Sequence, residues 1–221
     1  MNERRRLTDR WAAWRARWLL GWCAVLLGAE AARGEVVVVR DGVPAARVVV
    51  AKTASEQVKN AAGTLIQYVL EASGARLELI QDDAVSADRA GPLIHVGPNR
   101  LPVTQNLLSA GWDDDGFVQL VQGRDIVIVG PSDYGTEFGV YDFLERHVGV
   151  RWLLPGDDGT DVPSRKTIAL PEGRFQDQPA FFSRLFSGLQ GAAQTRWARF
   201  QRMHGRVSFH HNLLHMLPPS R

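Results

Sequence analysis

Ile126 to Pro155 reads IVIVGPSDYGTEFGVYDFLERHVGVRWLLP, and this stretch decides the fold. Ile126 to Val129 is β-branched throughout, as suits a strand buried on both faces. Gly130, Pro131, Ser132 and Asp133 make a turn, with Asp133 placed to cap the next helix by accepting its orphan N–H bonds. Phe138, Tyr141, Leu144 and Val148 then recur at the spacing of one helical face. Gly149 ends the helix as a left-handed cap, and Val150 to Leu154 returns as a short strand before Pro155 and Gly156. A helix bracketed by apolar strands is an α/β unit and not a bundle.

The pattern repeats outward. Glu35 to Arg40 (EVVVVR) and Arg47 to Ala51 (RVVVA) flank Asp41-Gly42-Val43-Pro44, which reads as a hairpin. Thr53-x-x-Glu56 fits a capping box, and the helix behind it carries Val58, Ala62, Leu65 and Val69 on one face, ending near Ser73-Gly74. Arg76 to Ile80 alternates like a half-exposed strand, and Leu93 to Val96 is a buried one. Residues 101–110 form a weaker helix. Phe117 to Val121 and Asp125 to Val129 pair as a second hairpin across Gln122-Gly123-Arg124, and Thr167 to Leu170 adds an edge strand. The expected fold class is α/β (α+β), a mixed sheet with helices packed on it in hairpin–helix repeats over residues 35–171.

Composition fits a globular protein, with 45% hydrophobic and 23% charged residues among 221. The formal charge of +2 comes from the N-terminus. Residues 1–34 hold seven of the 26 basic residues and three of the 24 acidic ones, leaving the remainder at −2. That charge gives no reason to expect nucleic-acid binding. The first 31 residues read as a secretory signal peptide: Arg4, Arg5 and Arg6, an apolar run from Trp18 to Gly28, then Ala29-Glu30-Ala31 as the cleavage site. The run is too short to span a bilayer as a helix; an uncleaved N-terminal anchor is the alternative. Trp22 precedes Cys23 where a lipid-attachment box wants a small residue. Cleavage leaves no cysteine, and the expected location is secreted or periplasmic, with no membrane association thereafter.

After Pro171 the composition changes. Residues 172–221 hold four of the six His and six of the nine Phe, and read as a strand (Ala180 to Phe186), a helix (Ala192 to Met203) and a second strand (Arg206 to His211). Those are the first one and a half β/α units of an incomplete barrel, since a whole one takes ~250 residues.

The central stretch, written G-x4-GT-x-x-G-V-Y-D-F-L-E-x3-G-V-R-W-x-x-P-G, carries a family likeness. Through Gly130, Gly135, Thr136, Gly139, Tyr141, Asp142, Phe143, Leu144, Glu145, Gly149, Arg151, Trp152, Pro155 and Gly156 it resembles the non-catalytic α/β domain before the catalytic barrel of α-glucuronidases and family 20 β-N-acetylhexosaminidases. It also resembles secreted bacterial proteins in which that domain precedes a glycosidase-barrel-related domain of unknown function. The resemblance implies an accessory domain of a secreted carbohydrate-active glycoside hydrolase, C-terminally truncated, with carbohydrate bound through the rest of the barrel. It also implies that Arg184 lies at the end of the first barrel strand, where related enzymes hold sugar hydroxyls, and that His210, His211 and Asn212 end the second. The alternative is a free-standing exported module that binds glycans or a partner.

Catalytic residues are not expected. Glycoside hydrolysis needs two facing carboxylates, and from residue 172 onward the only acids are Glu172 and Asp177. Cofactors and metals are not expected either. Gly130-x4-Gly135-Thr136 lacks the Lys of a phosphate loop, and His211-Asn-Leu-Leu-His215 has Asn212 where a zinc hydrolase has its Glu. Trp197, Phe200 and Met203 share a helical face suited to a core, Trp152 suits packing more than a cation–π pair with Arg151, and Asp113 to Asp115 reads as a solvated loop.

Overall fold

The computed structural model describes residues 34–188 and 190–207. The predicted signal segment, and the site residues His210, His211 and Asn212, lie outside them. Among the described residues the fold is the expected mixed α/β one, built on a six-stranded sheet with helices against it.

In chain order the elements are β1 (Glu35–Arg40), β2 (Val43–Pro44), β3 (Arg47–Val50), α1 (Glu56–Ser73), β4 (Glu78–Gln81), β5 (Leu93–Val96), β6 (Phe117–Gln122) and β7 (Asp125–Val129). Then come α2 (Asp133–Phe143), a π turn (Leu144–Val148), β8 (Arg151–Trp152), β9 (Thr160–Asp161), β10 (Ile168–Pro171), β11 (Gly173–Asp177) and α3 (Ala192–Phe200). The main sheet runs β11-β6-β7-β5-β3-β4. Its β7, β5, β3 and β4 are parallel, and β6 is antiparallel to both β7 and β11.

Strand alternation sorts the core. Val48, Val50, Ile94, Val96, Ile126 and Ile128 face the helices and meet Val58, Ala62, Leu65 and Val69 of α1 and Phe138 of α2. Val127 and Val129 point the other way, with Val118, and are covered by Val103, Leu107, Leu108 and Trp112 of the loop before β6. This two-sided burial is why β7 reads as an unbroken apolar run.

Ser55 caps α1 by accepting from the Val58 N–H at 3.2 Å, and Ser132 caps α2 by accepting from the Gly135 N–H at 3.2 Å. The caps are therefore these serines and not Thr53 or Asp133; a β-region residue with a short hydroxyl directly before the first turn is best placed for the bond. Gly74 (φ 82°) and Gly149 (φ 95°) close the helices in the left-handed region, as expected. Gly63 lies inside α1, and a Cβ there would meet nothing within 4 Å. Gly63→Ala is therefore expected to raise stability by about 0.5–1 kcal/mol, the helix-interior difference between the two residues, which urea unfolding measures.

Other local expectations are corrected. Glu35–Arg40 and Arg47–Val50 do not form a hairpin. Asp41 and Gly42, both at positive φ, return the chain only into two-residue β2, and β1 pairs on its other side with β10. The Ala45 and Ala46 N–H groups both donate to Val38 O, at 3.0 and 3.1 Å, and the chain then leaves for the main sheet. Residues 101–110 hold only a 3₁₀ turn, Pro102–Thr104; the Thr104 hydroxyl donates to the Leu101 and Asn99 carbonyls at 2.9 Å each, a local bond that competes with a helix. Ala180 to Phe186 is not a strand. It makes one antiparallel bridge, Arg184 with His204. The strand is Gly173–Asp177, because β6 offers it a five-residue ladder along an open edge.

His147, on the π turn, is pushed from an ordinary 6.5 down to about 4, by burial first and by the charge of Arg146 second. Between those values the unfolded chain holds the extra proton, so this contribution to stability is complete above pH 6.5 and falls away as the pH drops towards 4. His147→Gln is expected to shrink the loss of unfolding free energy between about pH 7 and about pH 4.5, read by denaturant titration at the two pH values.

Candidate functional site

The glycine-rich turn after β7 is filled by its own backbone. A Cβ on Gly130 would lie 2.4 Å from the Gly135 carbonyl carbon, and one on Gly135 would lie 2.2 Å from Gly116 O. The Thr136 hydroxyl accepts from the Gly130 N–H at 3.1 Å, and the Thr136 N–H donates to Ser132 O. The Gly130, Gly135 and Thr136 N–H groups are thus bonded within the turn. The turn is a strand-to-helix joint, as its missing Lys implies.

The chain's charge chemistry gathers where residues 184–206 return to this joint. Asp115 is buried, not solvated. It accepts from Arg184 Nη2 at 2.7 Å, and pairs with Arg206 Nη2 at 2.8 Å and with His204 Nδ1 at 2.9 Å. Arg206 also grips Asp113 with both terminal nitrogens, and the His204 ring stacks on Tyr134 at 3.7 Å. Burial works against ionisation of Asp115, and the hydrogen bonds from Arg206, His204 and Arg184 outweigh it, so its carboxyl sits below the usual range. Asp113 is lowered chiefly by Arg206, whose own guanidinium is raised chiefly by Asp113. Both carboxylates are fixed as anions, which disqualifies them as proton donors at neutral pH.

Arg184 is placed by three bonds: Nη2 to Asp115, Nε to Arg202 O at 3.0 Å and Nη1 to Phe181 O at 3.0 Å. Its partners among the described residues hold the returning segment to the joint. Glu172 accepts from the Gly123 N–H at 2.7 Å, and Asp177 from the Gln178 N–H at 2.8 Å. The described residues include no group of three His, Cys, Asp or Glu arranged to hold a metal ion.

A second set of anchors holds α3. Glu137, nearly buried on α2, pairs with Arg199 and accepts from Tyr141 OH and from Gln57 Nε2, the latter at 2.6 Å. Arg199 lies 4.0 Å above the Tyr134 ring, and Arg202 pairs with Glu145 at 2.6 Å. Phe200 stacks on Trp152 at 4.4 Å, and the Trp197 and Gln201 side chains donate to Trp152 O at 2.9 and 2.6 Å. Phe200 is core, Trp197 is half-buried at its edge, and Trp152 packs rather than pairing with Arg151, which donates to the Glu145 and Val150 carbonyls. Arg199, Arg202 and Arg206 recur three and four positions apart in the sequence, but the acids they meet, Glu137, Glu145 and Asp113, are set by the fold.

No family model matches the chain, and no curated protein does. Solved structures similar to it include a GH20 β-N-acetylhexosaminidase from Streptomyces coelicolor A3(2), at 14% identity over 69% of this chain and 25% of the enzyme, TM-score 0.44. A GH115 4-O-methyl-α-glucuronidase matches at 18% identity over 67% of this chain and 19% of the enzyme, TM-score 0.48. The N-acetyl-β-hexosaminidase of Streptomyces plicatus matches at 13% identity over 68% and 24%, TM-score 0.43. The chain thus spans a quarter or less of the length of these enzymes.

Proposed function

We propose that this chain is the accessory, non-catalytic N-terminal part of a secreted carbohydrate-active glycoside hydrolase: a support module over residues 35–171, followed over 172–221 by the start of the barrel it supports. One observation carries the reading. Residues 181–186 are held to the module through Arg184, yet they turn Phe181 (74% exposed), Phe182 (63%), Leu185 (51%) and Phe186 (42%) to solvent. Contiguous exposed apolar side chains on an anchored segment mark a surface made to be covered. The motif that resembles the glycosidase modules supports the same view, because Gly130, Gly135, Thr136 and Trp152 serve packing and not catalysis.

Within this reading Arg184, with His210, His211 and Asn212, contributes to one wall of a sugar site. Arg184 has five N–H donors, three of which are engaged by described residues. Export rests on the pattern of residues 1–31. Aryl glycosides of glucuronic acid and N-acetylglucosamine are expected to show no turnover above buffer with the 221-residue chain, and turnover would refute the assignment. Phe181→Ser with Phe182→Ser should reduce binding of a hydrophobic dye without lowering the melting temperature; a lowered melting temperature would mean that these rings already belong to a core.

A further inference from the structure

We propose that His95 is an acid-released latch on the loop between β5 and β6. His95 is 1% exposed and, by strand alternation from Ile94 and Val96, lies on the sheet face that this loop covers. The loop carries Val103, Leu107, Leu108 and Trp112 over Val118, Val127 and Val129. It then supplies Asp113 and Asp115, which hold Arg206 and Arg184. All the residues of the latch lie in the sheet-and-helix module, so the proposal stands apart from the barrel reading.

The bonds around His95 assign its proton. The Leu101 N–H donates to Asn99 Oδ1 at 2.9 Å, which fixes the amide with its Nδ2 toward the ring, 3.2 Å from His95 Nδ1. Nδ1 must therefore accept, and the neutral ring carries its proton on Nε2. Nε2 has no hydrogen-bond partner among the described residues. Asp125 Oδ1 lies 3.4 Å from it, longer than an ordinary bond, and both Asp125 oxygens accept from Arg89 Nη2, at 2.6 and 2.7 Å. Burial opposes ionisation of Asp125, but His95 and Arg89 outweigh it, so its carboxyl lies below the usual range. Of the other neighbours, β3 sets Val49 and β7 sets Val127 in register with His95. Asp82 faces the turn's backbone, accepting the Arg100 N–H at 3.0 Å.

A second proton on the ring inverts the Asn99 contact. Nδ1–H then meets the Nδ2 donor, and two buried donors face each other unsatisfied. The amide can answer only by turning its oxygen to the ring, which takes that oxygen from the Leu101 N–H. Either way the turn over residues 99–105 loses a bond that shapes it. The Asp125 carboxylate meanwhile attracts the imidazolium, so acid favours the released state.

The test follows the full chain by NMR between about pH 7.5 and about pH 5, where an imidazole gains its charge. At the upper pH His95 should show a bare Nδ1 and a protonated Nε2. As the ring charges, protection of the Leu101 amide against hydrogen exchange is expected to fall by about 10-fold or more, the worth of one lost hydrogen bond. The Gly97 amide, which donates to Ile128 O at 2.8 Å, should keep its protection, separating this release from the global acid effect at His147. His95→Gln offers Asn99 an amide oxygen and cannot charge, so Leu101 should stay protected throughout. If that variant fails to fold, coincidence of the wild-type ring titration with the Leu101 change decides. The proposal is overturned by a proton on Nδ1 at the upper pH or by a ring still neutral at about pH 5. Leu101 protection that ignores the ring's charge, or equal pH dependence in His95→Gln, also overturns it.

Discussion

Asp115→Ala is expected to lower stability by about 3 kcal/mol and to loosen residues 184–206, because removing one member of a buried ion pair strands the others at a cost of about 3–5 kcal/mol. Asp115 is 2% exposed and receives Arg184, His204 and Arg206 within 3 Å. The lower figure applies because Arg206 keeps Asp113 and the cations are partly exposed. For a chain of this size that corresponds to roughly 6–12 °C in melting temperature. Asp115→Asn, which keeps the shape and one carbonyl acceptor, should fall between Asp115→Ala and the wild type. The measurement is thermal unfolding by circular dichroism, and a wild-type midpoint for Asp115→Ala would show that the node contributes nothing. Because the Asp113 and Asp115 carboxyls lie below their unfolded values, their contribution holds at neutral pH and is lost as the pH falls below about 4.

Gly135→Ala should be worse. A Cβ at this position would lie 2.2 Å from Gly116 O and 2.7 Å from Asp114 O. Both are backbone atoms of the loop that carries Asp115, and that loop is tied in place by the bond from the Ser132 hydroxyl to Asp114 O at 2.6 Å. No side-chain rotation relieves the clash; α2 or the loop must move, and moving the loop pulls Asp115 from its cations. The expected loss is at least about 3 kcal/mol, at the severe end for an overpacked site. Gly139→Ala, whose Cβ meets the Ile128 Cγ2 and Phe117 side-chain atoms at 2.9–3.2 Å, should cost less because side chains can yield. Soluble yield and a cooperative melt separate the two variants. Equal, wild-type-like melts would mean that the motif glycines are not there for close packing.

The local grammar of the chain was legible where one segment decides its own state. The β-branched run Ile126–Val129, the helical face of Val58, Ala62, Leu65 and Val69, and the cap glycines Gly74 and Gly149 all appear as read. Pairing was less legible. EVVVVR and RVVVA look alike, yet β1 joins β10 from the far end of the module while β3 becomes an inner parallel strand; nothing within either run specifies the partner. The acidic loop, expected to be solvated, has the same property. Asp113, Asp114 and Asp115 are chemically identical in sequence, and Asp115 is the buried one because Arg184 and His204, 69 and 89 residues away, arrive on its side. An aromatic cluster likewise joins Tyr68, Trp152 and Phe200 from three separate elements.

Residues 184–188 and 190–206 are docked on the sheet-and-helix module by the Asp113, Asp115 and Glu137 anchors. Amide hydrogen exchange tests this docking most directly at two groups: the Arg184 N–H, which donates to His204 O at 2.9 Å, and the Gln201 N–H, which donates to Trp197 O at 3.0 Å. Slow exchange is predicted at both amides in the wild-type chain, with fast exchange at Arg184 in Asp115→Ala. Exchange at the unfolded-chain rate in the wild type would contradict the docking.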